Sequence, residues 1–130
     1  MTSPQIQRLQ DVHNIPVLDS TALDEFLNQP EYQVLFFAGD PDKYPEANDV
    51  AMVLPELLTS FPQLRGALIA PESAAELQPR FNFTRWPTLV FLQQGKLLGN
   101  ISQIQNWEDY QLQISHLLHG DPVTLISGSA

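Results

Sequence analysis

The segment from Phe81 to Lys96 constrains the fold of this chain more than any other stretch. It reads Phe-Asn-Phe-Thr-Arg-Trp-Pro-Thr-Leu-Val-Phe-Leu-Gln-Gln-Gly-Lys. A proline directly before an apolar run is typical of a strand start, because proline has no N–H to donate inside a sheet. The glycine turn that follows predicts a hairpin with strands at Thr88–Leu92 and Lys96–Ile101.

The rest of the chain predicts helices and strands in alternation. The continuous apolar run Val34–Ala38 is typical of a strand covered on both faces. From Ala47 to Phe61, apolar residues recur every three or four positions, which predicts an amphipathic helix with Pro55 inside it. Further predicted elements are a leading helix in residues 1–14, strands at 15–18 and 64–70, and helices at 20–29, 72–81 and 106–119.

This order of elements predicts an α/β fold, with a mixed central sheet and helices on both faces. The length of 130 residues suits one domain. We expect that domain to span residues 1–120 and residues 121–130 to form a flexible C-terminal tail.

The sequence contains no cysteine and lacks other common signatures of catalysis. It has no Gly-x-Ser-x-Gly motif, and its 6 glycines do not form a phosphate-binding loop. His116 and His119 lie three residues apart, but no carboxylate cluster nearby completes a metal shell. We therefore expect a protein that is not an enzyme and that has no cofactor and no metal.

The net charge is -9, and four acidic residues fall within ten positions. These are Asp40, Asp42, Glu46 and Asp49, opposed only by Lys43. One interpretation is a solvated loop whose carboxylates favour the start of a helix. The other is a surface for a cationic partner, and in either case the charge disfavours nucleic acid and anionic lipid.

No apolar run approaches the roughly 20 residues that a membrane-spanning helix requires. The first residues also lack the basic and then apolar pattern of a secretory signal. We therefore expect a cytoplasmic protein that does not insert into a membrane.

The element order, the proline-containing helix and the Trp86-Pro87-Thr88 turn resemble the thioredoxin fold over residues 15–119. Placing Pro55 on the helix proline of thioredoxins puts Ala47-Asn48-Asp49-Val50 where those proteins carry Cys-x-x-Cys. The position of the buried aspartate that helps redox thioredoxins to move protons is then taken by Leu35. The resemblance implies a scaffold that has lost its redox chemistry.

The same resemblance implies a cis peptide bond before Pro87, beside a groove that grips an extended peptide. The alternative is an ordinary trans proline at the start of a strand, which the low general frequency of cis proline favours. Trp86 likewise has two interpretations, as a groove residue or as a core aromatic.

Within thioredoxin-like proteins, the chain is most similar to the cysteine-free hydrogenase-maturation family of the HyaE, HoxO and HupG type. The features that carry this resemblance are the loop Gly39–Glu46, the helix end Glu56–Pro62 and the segment Arg80–Phe91. The resemblance implies a non-catalytic chaperone of nickel–iron (NiFe) hydrogenase assembly. Its partner would be the twin-arginine signal of the hydrogenase small-subunit precursor, with room for other hydrogenase accessory proteins.

The predicted peptide-binding residues combine the acidic stretch with the proline turn. They are Asp40, Asp42, Glu46, Asp49, Trp86, Pro87 and Thr88. The acidic loop would receive arginines, and the edge beside the proline would add backbone hydrogen bonds to an extended strand. The alternative is a structural or scaffolding thioredoxin-like interaction domain of a maturation complex that binds no signal peptide.

Overall fold

The computed structural model describes residues 3–119 and contains five helices and five strands within that range. In chain order they are α1 (Pro4–Asp11), β1 (Val17–Leu18), α2 (Ser20–Leu27), β2 (Tyr32–Phe37), α3 (Glu46–Ser60), β3 (Leu64–Ile69), α4 (Pro71–Phe81), β4 (Thr88–Gln93), β5 (Lys96–Ser102) and α5 (Trp107–His119). The predicted order of elements is therefore correct. The predicted tail at 121–130 lies outside the described residues.

The strands form one mixed sheet in the order β1-β3-β2-β4-β5. The pairs β1–β3 and β3–β2 are parallel, whereas β2–β4 and β4–β5 are antiparallel. The three parallel strands therefore end at the same edge of the sheet. The loops that leave this edge are the loop from β2 to α3, the loop from β3 to α4 and the short link from β1 to α2.

Helices cover both faces of the sheet, as the sequence predicts. Buried side chains of α1, α3 and α5 pack on one face, and those of α2 and α4 pack on the other. Strand β2 supplies both cores by alternation, with Val34 and Phe36 on the α3 face and Leu35 and Phe37 on the α2–α4 face. Within the described residues, no helix is long and apolar enough to cross a membrane.

The resemblance places Leu35 at the position of the proton-moving aspartate of redox thioredoxins. In the structure, Leu35 is fully buried in the core cluster of α2 and α4. Its neighbours Val34 and Phe36 face α3 and are apolar as well. The middle of β2 therefore offers no carboxylate as a proton acceptor on either face of the sheet.

Local capping agrees with the sequence at several helix ends. Asn82 ends α4 in the left-handed conformation, with φ of 62°. The side-chain oxygen of Asn106 accepts a hydrogen bond from the Asp109 N–H at 2.8 Å, which caps α5. Gln94 and Gly95 have φ of 48° and 80°, the conformation of a two-residue hairpin turn.

The buried side chain of Gln33 links the β4–β5 hairpin to the end of α2 through hydrogen bonds. Gln33 is fully buried, and its Nε2 donates to the carbonyl oxygens of Phe26 and Gln29 at 2.9 and 3.2 Å. Its Oε1 accepts from the Gly95 N–H at 3.1 Å. Gln33 therefore provides hydrogen-bond partners for backbone groups at the end of α2 and in the β4–β5 turn. A leucine of similar size could not form these hydrogen bonds.

We expect Gln33→Leu to lower the free energy of unfolding by about 2–3 kcal/mol. The Gly95 N–H would lose its acceptor, and the carbonyls of Phe26 and Gln29 would lose their donor. Urea denaturation followed by circular dichroism measures this. The matched control is Gln63→Leu at an exposed loop position, which should change stability by less than about 0.5 kcal/mol. Equal stability of the two variants would contradict this role of Gln33.

Candidate partner-binding site

Trp86 and Pro87 lie between α4 and β4, and the peptide bond that joins them is cis, as the resemblance predicts. The Pro87 ring is buried, and its carbonyl oxygen accepts a hydrogen bond from the Gln103 N–H at 2.6 Å. Pro87 therefore anchors the turn to the loop that follows β5. Its ring is not an exposed contact surface.

Thr88 is also an anchor and offers no exposed surface. It is 1% exposed, and its hydroxyl donates to the carbonyl oxygen of Arg85. The Ser102 hydroxyl lies 2.8 Å from the same oxygen and donates to it, since the one Thr88 hydroxyl proton is already used. Thr88 thus positions the turn that presents Trp86, and a partner would have to open the core to reach it.

Trp86 is half-buried within a group of aromatic rings. Its ring centroid lies 5.2 Å from that of Phe83 and 6.3 Å from that of Phe37, both edge to face. The Tyr44 ring stacks on it at 6.5 Å. Trp86 is thus both a core aromatic and a surface residue, because one part of its side chain packs on other rings and another part remains exposed.

The loop between β2 and α3 passes very close to this indole. Gly39 has φ of 74°, and a Cβ at this position would lie 3.0 Å from Tyr44 Cδ2 and 3.2 Å from Trp86 Cβ. A side chain here would therefore be strained and would push the loop away from Trp86. Glycine at position 39 allows the acidic loop to rest against Trp86.

The acidic loop folds as a turn that leaves two carboxylates exposed. Asp40 accepts a hydrogen bond from the Asp42 N–H at 3.0 Å through Oδ1, and its backbone carbonyl accepts from the N–H groups of Lys43 and Tyr44. Neither Asp40 nor Asp42 forms an ion pair within residues 3–119. The Lys43 ammonium lies 5.6 Å from the centroid of the Tyr44 ring.

The other two acidic residues belong to a different part of the site. Glu46, the first residue of α3, accepts a hydrogen bond from the Ile104 N–H at 2.9 Å. This bond joins the start of α3 to the β5–α5 loop. Asp49 is exposed one turn later, so the acidic stretch divides into Asp40 and Asp42 beside Trp86, and Glu46 and Asp49 beside that loop.

Tyr110 lies beneath this second acidic pair. Burial raises the pKa of its phenol above the ordinary value, and the negative charges of Glu46 and Asp49 raise it further, against a hydrogen bond with the backbone of Gln105 that lowers it. The hydroxyl donates to the Gln103 carbonyl at 3.4 Å, which is a long hydrogen bond. Tyr110 therefore stays protonated in the folded state well into the alkaline range.

The resemblance places Ala47 and Val50 at the positions that hold thiols in redox thioredoxins. Both side chains are buried against the α3 face of the sheet. Within the described residues, no group of three or more metal-binding side chains comes together. At this end of the molecule the chain offers hydrogen-bonding groups, carboxylates and aromatic surface.

Several residues that build the site were not predicted from the sequence. They are Gly39, Tyr44, Phe83, Gln103 and Ile104. A usable signal existed for Tyr44, since an aromatic residue in a loop of charges and prolines needs an apolar partner. Gln103 and Ile104 contribute through backbone N–H groups, which leave no signal in the side-chain pattern.

A family model described as hydrogenase-1 expression protein HyaE matches residues 5–110. The chain belongs to this family. A curated relative, the hydrogenase expression/formation protein HoxO of Azotobacter vinelandii, is 46% identical over 93% of this chain and 82% of its own length. The corresponding protein HupG of Rhizobium leguminosarum bv. viciae is 40% identical over 98% of this chain and 90% of its own.

Solved structures agree with this membership of the HyaE family. One, described as hydrogenase expression/formation protein HupG from Rhodopseudomonas palustris, is 38% identical with a TM-score of 0.58, covering 81% of this chain and 96% of that one. Plasmodium falciparum thioredoxin superposes with a TM-score of 0.66 at 14% identity, over 78% and 99% of the two chains. The predicted thioredoxin-like fold is thereby confirmed.

For this HyaE-family protein, we expect Glu46→Ala to lower the free energy of unfolding by about 1–2 kcal/mol, because the Ile104 N–H loses its acceptor. Glu46→Gln keeps an acceptor oxygen and should lose less than half of that amount. Chemical denaturation of both variants, with the exposed Asp49→Asn as a charge control, measures the difference. Equal free energies of unfolding for the alanine and glutamine variants would show that the Glu46–Ile104 hydrogen bond does not contribute to stability.

Tyr110 makes stability depend on pH in the alkaline range. Above the ordinary tyrosine pKa of about 10, the unfolded chain loses the phenol proton while the folded chain keeps it. Stability is therefore lost as the pH rises from about 10, by up to about 1.4 kcal/mol per pH unit. Tyr110→Phe should decline less steeply between about pH 10 and 11.5 in urea titrations and should match the parent within about 1 kcal/mol at pH 7. Parallel declines in the two proteins would refute this.

Proposed function

We propose that this protein is a non-catalytic cytoplasmic chaperone of nickel–iron hydrogenase assembly that binds the twin-arginine signal of the small-subunit precursor. Membership of the HyaE family supports the hydrogenase part of this proposal, since its relatives are named hydrogenase expression/formation proteins. The partner is argued from the geometry around Trp86. Other accessory proteins of the same assembly are compatible with this role.

The observation that carries the proposal is the state of the Trp86 backbone. Within residues 3–119, neither its N–H nor its C=O has a hydrogen-bond partner, whereas the flanking carbonyls of Arg85 and Pro87 are both bonded. A free donor and a free acceptor on one residue just before the start of β4 suit pairing with an extended peptide. An unfolded signal segment provides such a backbone.

The charges next to Trp86 suit a basic peptide. Asp40 and Asp42 are exposed and without ion pairs in the described part of the chain, and the loop that carries them packs on Trp86 through Gly39. A carboxylate can receive a guanidinium group through two parallel hydrogen bonds. The net charge of -9 would also raise the rate of encounter with a cationic segment.

The predicted site residues divide by role in this proposal. Asp40, Asp42 and the exposed part of Trp86 contact the peptide directly, and Asp49 offers a second position for a basic side chain. Glu46, Pro87 and Thr88 hold the loops that present those groups. The site is therefore smaller than the set of seven residues suggests.

The absence of cysteine means that the proposed complex is non-covalent. A chain without a thiol cannot form a mixed disulfide with its partner, so the complex is held by non-covalent contacts alone. Such a complex can be released when the partner folds or is passed on. This suits a chaperone that delays export of an unfinished subunit.

Titration calorimetry with a synthetic twin-arginine signal peptide tests the proposal. We expect binding that weakens with salt, and loss of binding when both arginines are replaced by glutamine. The double variant Asp40→Asn/Asp42→Asn should bind about three- to tenfold more weakly and with less salt dependence. Asparagine keeps the side-chain oxygen that accepts the Asp42 N–H, so the turn is preserved.

The matched control is Glu25→Gln/Glu76→Gln, which removes the same net charge at exposed positions on α2 and α4. It should leave the dissociation constant within about twofold of the parent. Equal weakening by both double variants would assign the effect to overall charge and not to the acidic loop. A complete lack of peptide binding would favour the scaffolding alternative and overturn the proposal.

A further inference from the structure

A cavity lies at the carboxyl ends of the parallel strands, and Trp86 lines it. It has a volume of about 450 Å³ and lies between α1, β1, the ends of β2 and β3, the start of α4 and the acidic loop. Trp86 and Asp40 line this cavity whereas Asp42 does not, so the cavity adjoins the exposed acidic turn. Crevices outside the carboxyl ends of strands are the usual ligand sites of open α/β sheets.

The lining of this cavity is mainly apolar. Ile6 of α1, Val17 of the edge strand, Leu68 and Ile69 of β3, Ala74 of α4 and Trp86 form its walls. Val17 is 39% exposed, although a valine on a strand gains by burial. The cavity thus presents apolar surface that a ligand side chain could cover.

The charged groups of the lining lie in the acidic loop. They are Asp40, whose carboxylate is free of ion pairs within residues 3–119, and Lys43, whose ammonium lies over the Tyr44 ring. Asp42, next to them, adds a further negative charge at the exposed turn. The net charge of the loop is negative, so an occupant with a positive charge beside an apolar group is complementary to it.

We propose that this cavity receives a large apolar side chain that lies close in sequence to the basic residues of the bound peptide. The inference rests on the proposed function and names what that function leaves open, which is how a peptide with the right signal is distinguished from any basic peptide. The carboxylates bind the charge, and the cavity selects the apolar neighbour.

The geometry limits the spacing between the two features of the peptide. Asp40 lines the cavity itself, and a space of this volume is on the order of 8 Å across, whereas an extended chain advances about 3.3–3.6 Å per residue. The apolar side chain therefore lies within about two or three residues of an arginine. A peptide with the same composition and a longer separation cannot fill both places without a loop.

Three synthetic peptides of equal length and equal charge test whether the cavity receives the apolar side chain. One has phenylalanine two residues after the arginine pair, one has that phenylalanine moved six residues further along, and one has alanine in its place. The protein carries Trp107→Phe, so that Trp86 is its remaining tryptophan and its fluorescence reports binding. We expect the first peptide to bind about tenfold more tightly than the other two.

The protein variant that matches this test is Ala75→Leu. Ala75 is exposed on α4 and lines the cavity, so leucine fills the space without altering the core. We expect it to reduce binding of the first peptide to the level of the alanine peptide and to leave the alanine peptide unaffected. Gln113→Leu, at an exposed position of α5 outside the lining, is the control for an added surface leucine.

The outcomes separate this inference from the proposed function. If all three peptides bind alike, or if Ala75→Leu and Gln113→Leu bind the first peptide equally, the cavity has no part in recognition while signal binding stands. If none of the peptides binds, the proposed function fails and this inference fails with it.

Discussion

The burial of strand β2 on both faces is the constraint on which the other features depend. Its side chains alternate between two cores, and each core holds one layer of helices against the sheet. A strand in this position excludes unpaired charges, because one buried there would cost several kcal/mol, and its buried polar residue Gln33 is hydrogen-bonded through both side-chain ends. The strand also directs the chain into the loop at Gly39, so the position of the acidic turn against Trp86 follows from the position of β2. The candidate partner-binding site is thus built at the end of the central strand of the sheet.

Much of the fold was predictable because local patterns and tertiary packing agree. The hairpin, the apolar central strand and the amphipathic α3 all follow from periods of two or about three and a half residues, together with glycine and asparagine at turns. Side chains alternate along a strand, so a shift of one residue in an alignment would move Leu35 from the α2–α4 core to the α3 face. Sequence pattern shows that a strand is buried on both sides, but it does not show which residues face which helix.

The site was predicted less completely than the fold. The acidic loop is a local feature that the sequence shows directly, whereas the cis bond before Pro87 was implied by the resemblance to thioredoxins. It could not show that Glu46 turns inward to bond the Ile104 N–H, or that Thr88 is inside the sheet, because these contacts join positions 58 and 14 residues apart. Four carboxylates that are neighbours in sequence were therefore interpreted as one surface, whereas the start of α3 divides them. Long-range backbone hydrogen bonds decide which members of a charged stretch remain available.

Trp86 lies just before β4, its N–H and C=O have no hydrogen-bond partner within residues 3–119, and it also lines the cavity. One residue therefore takes part in both proposed contacts. An occupant that immobilises the indole also removes freedom from the adjoining backbone, so a strand that later pairs there has less entropy left to lose. The two contacts would then be cooperative without any large rearrangement, and a segment that satisfies only one of them would dissociate quickly. Immobilisation of one side chain would in this way let a small domain discriminate against peptides that make only one of the two contacts.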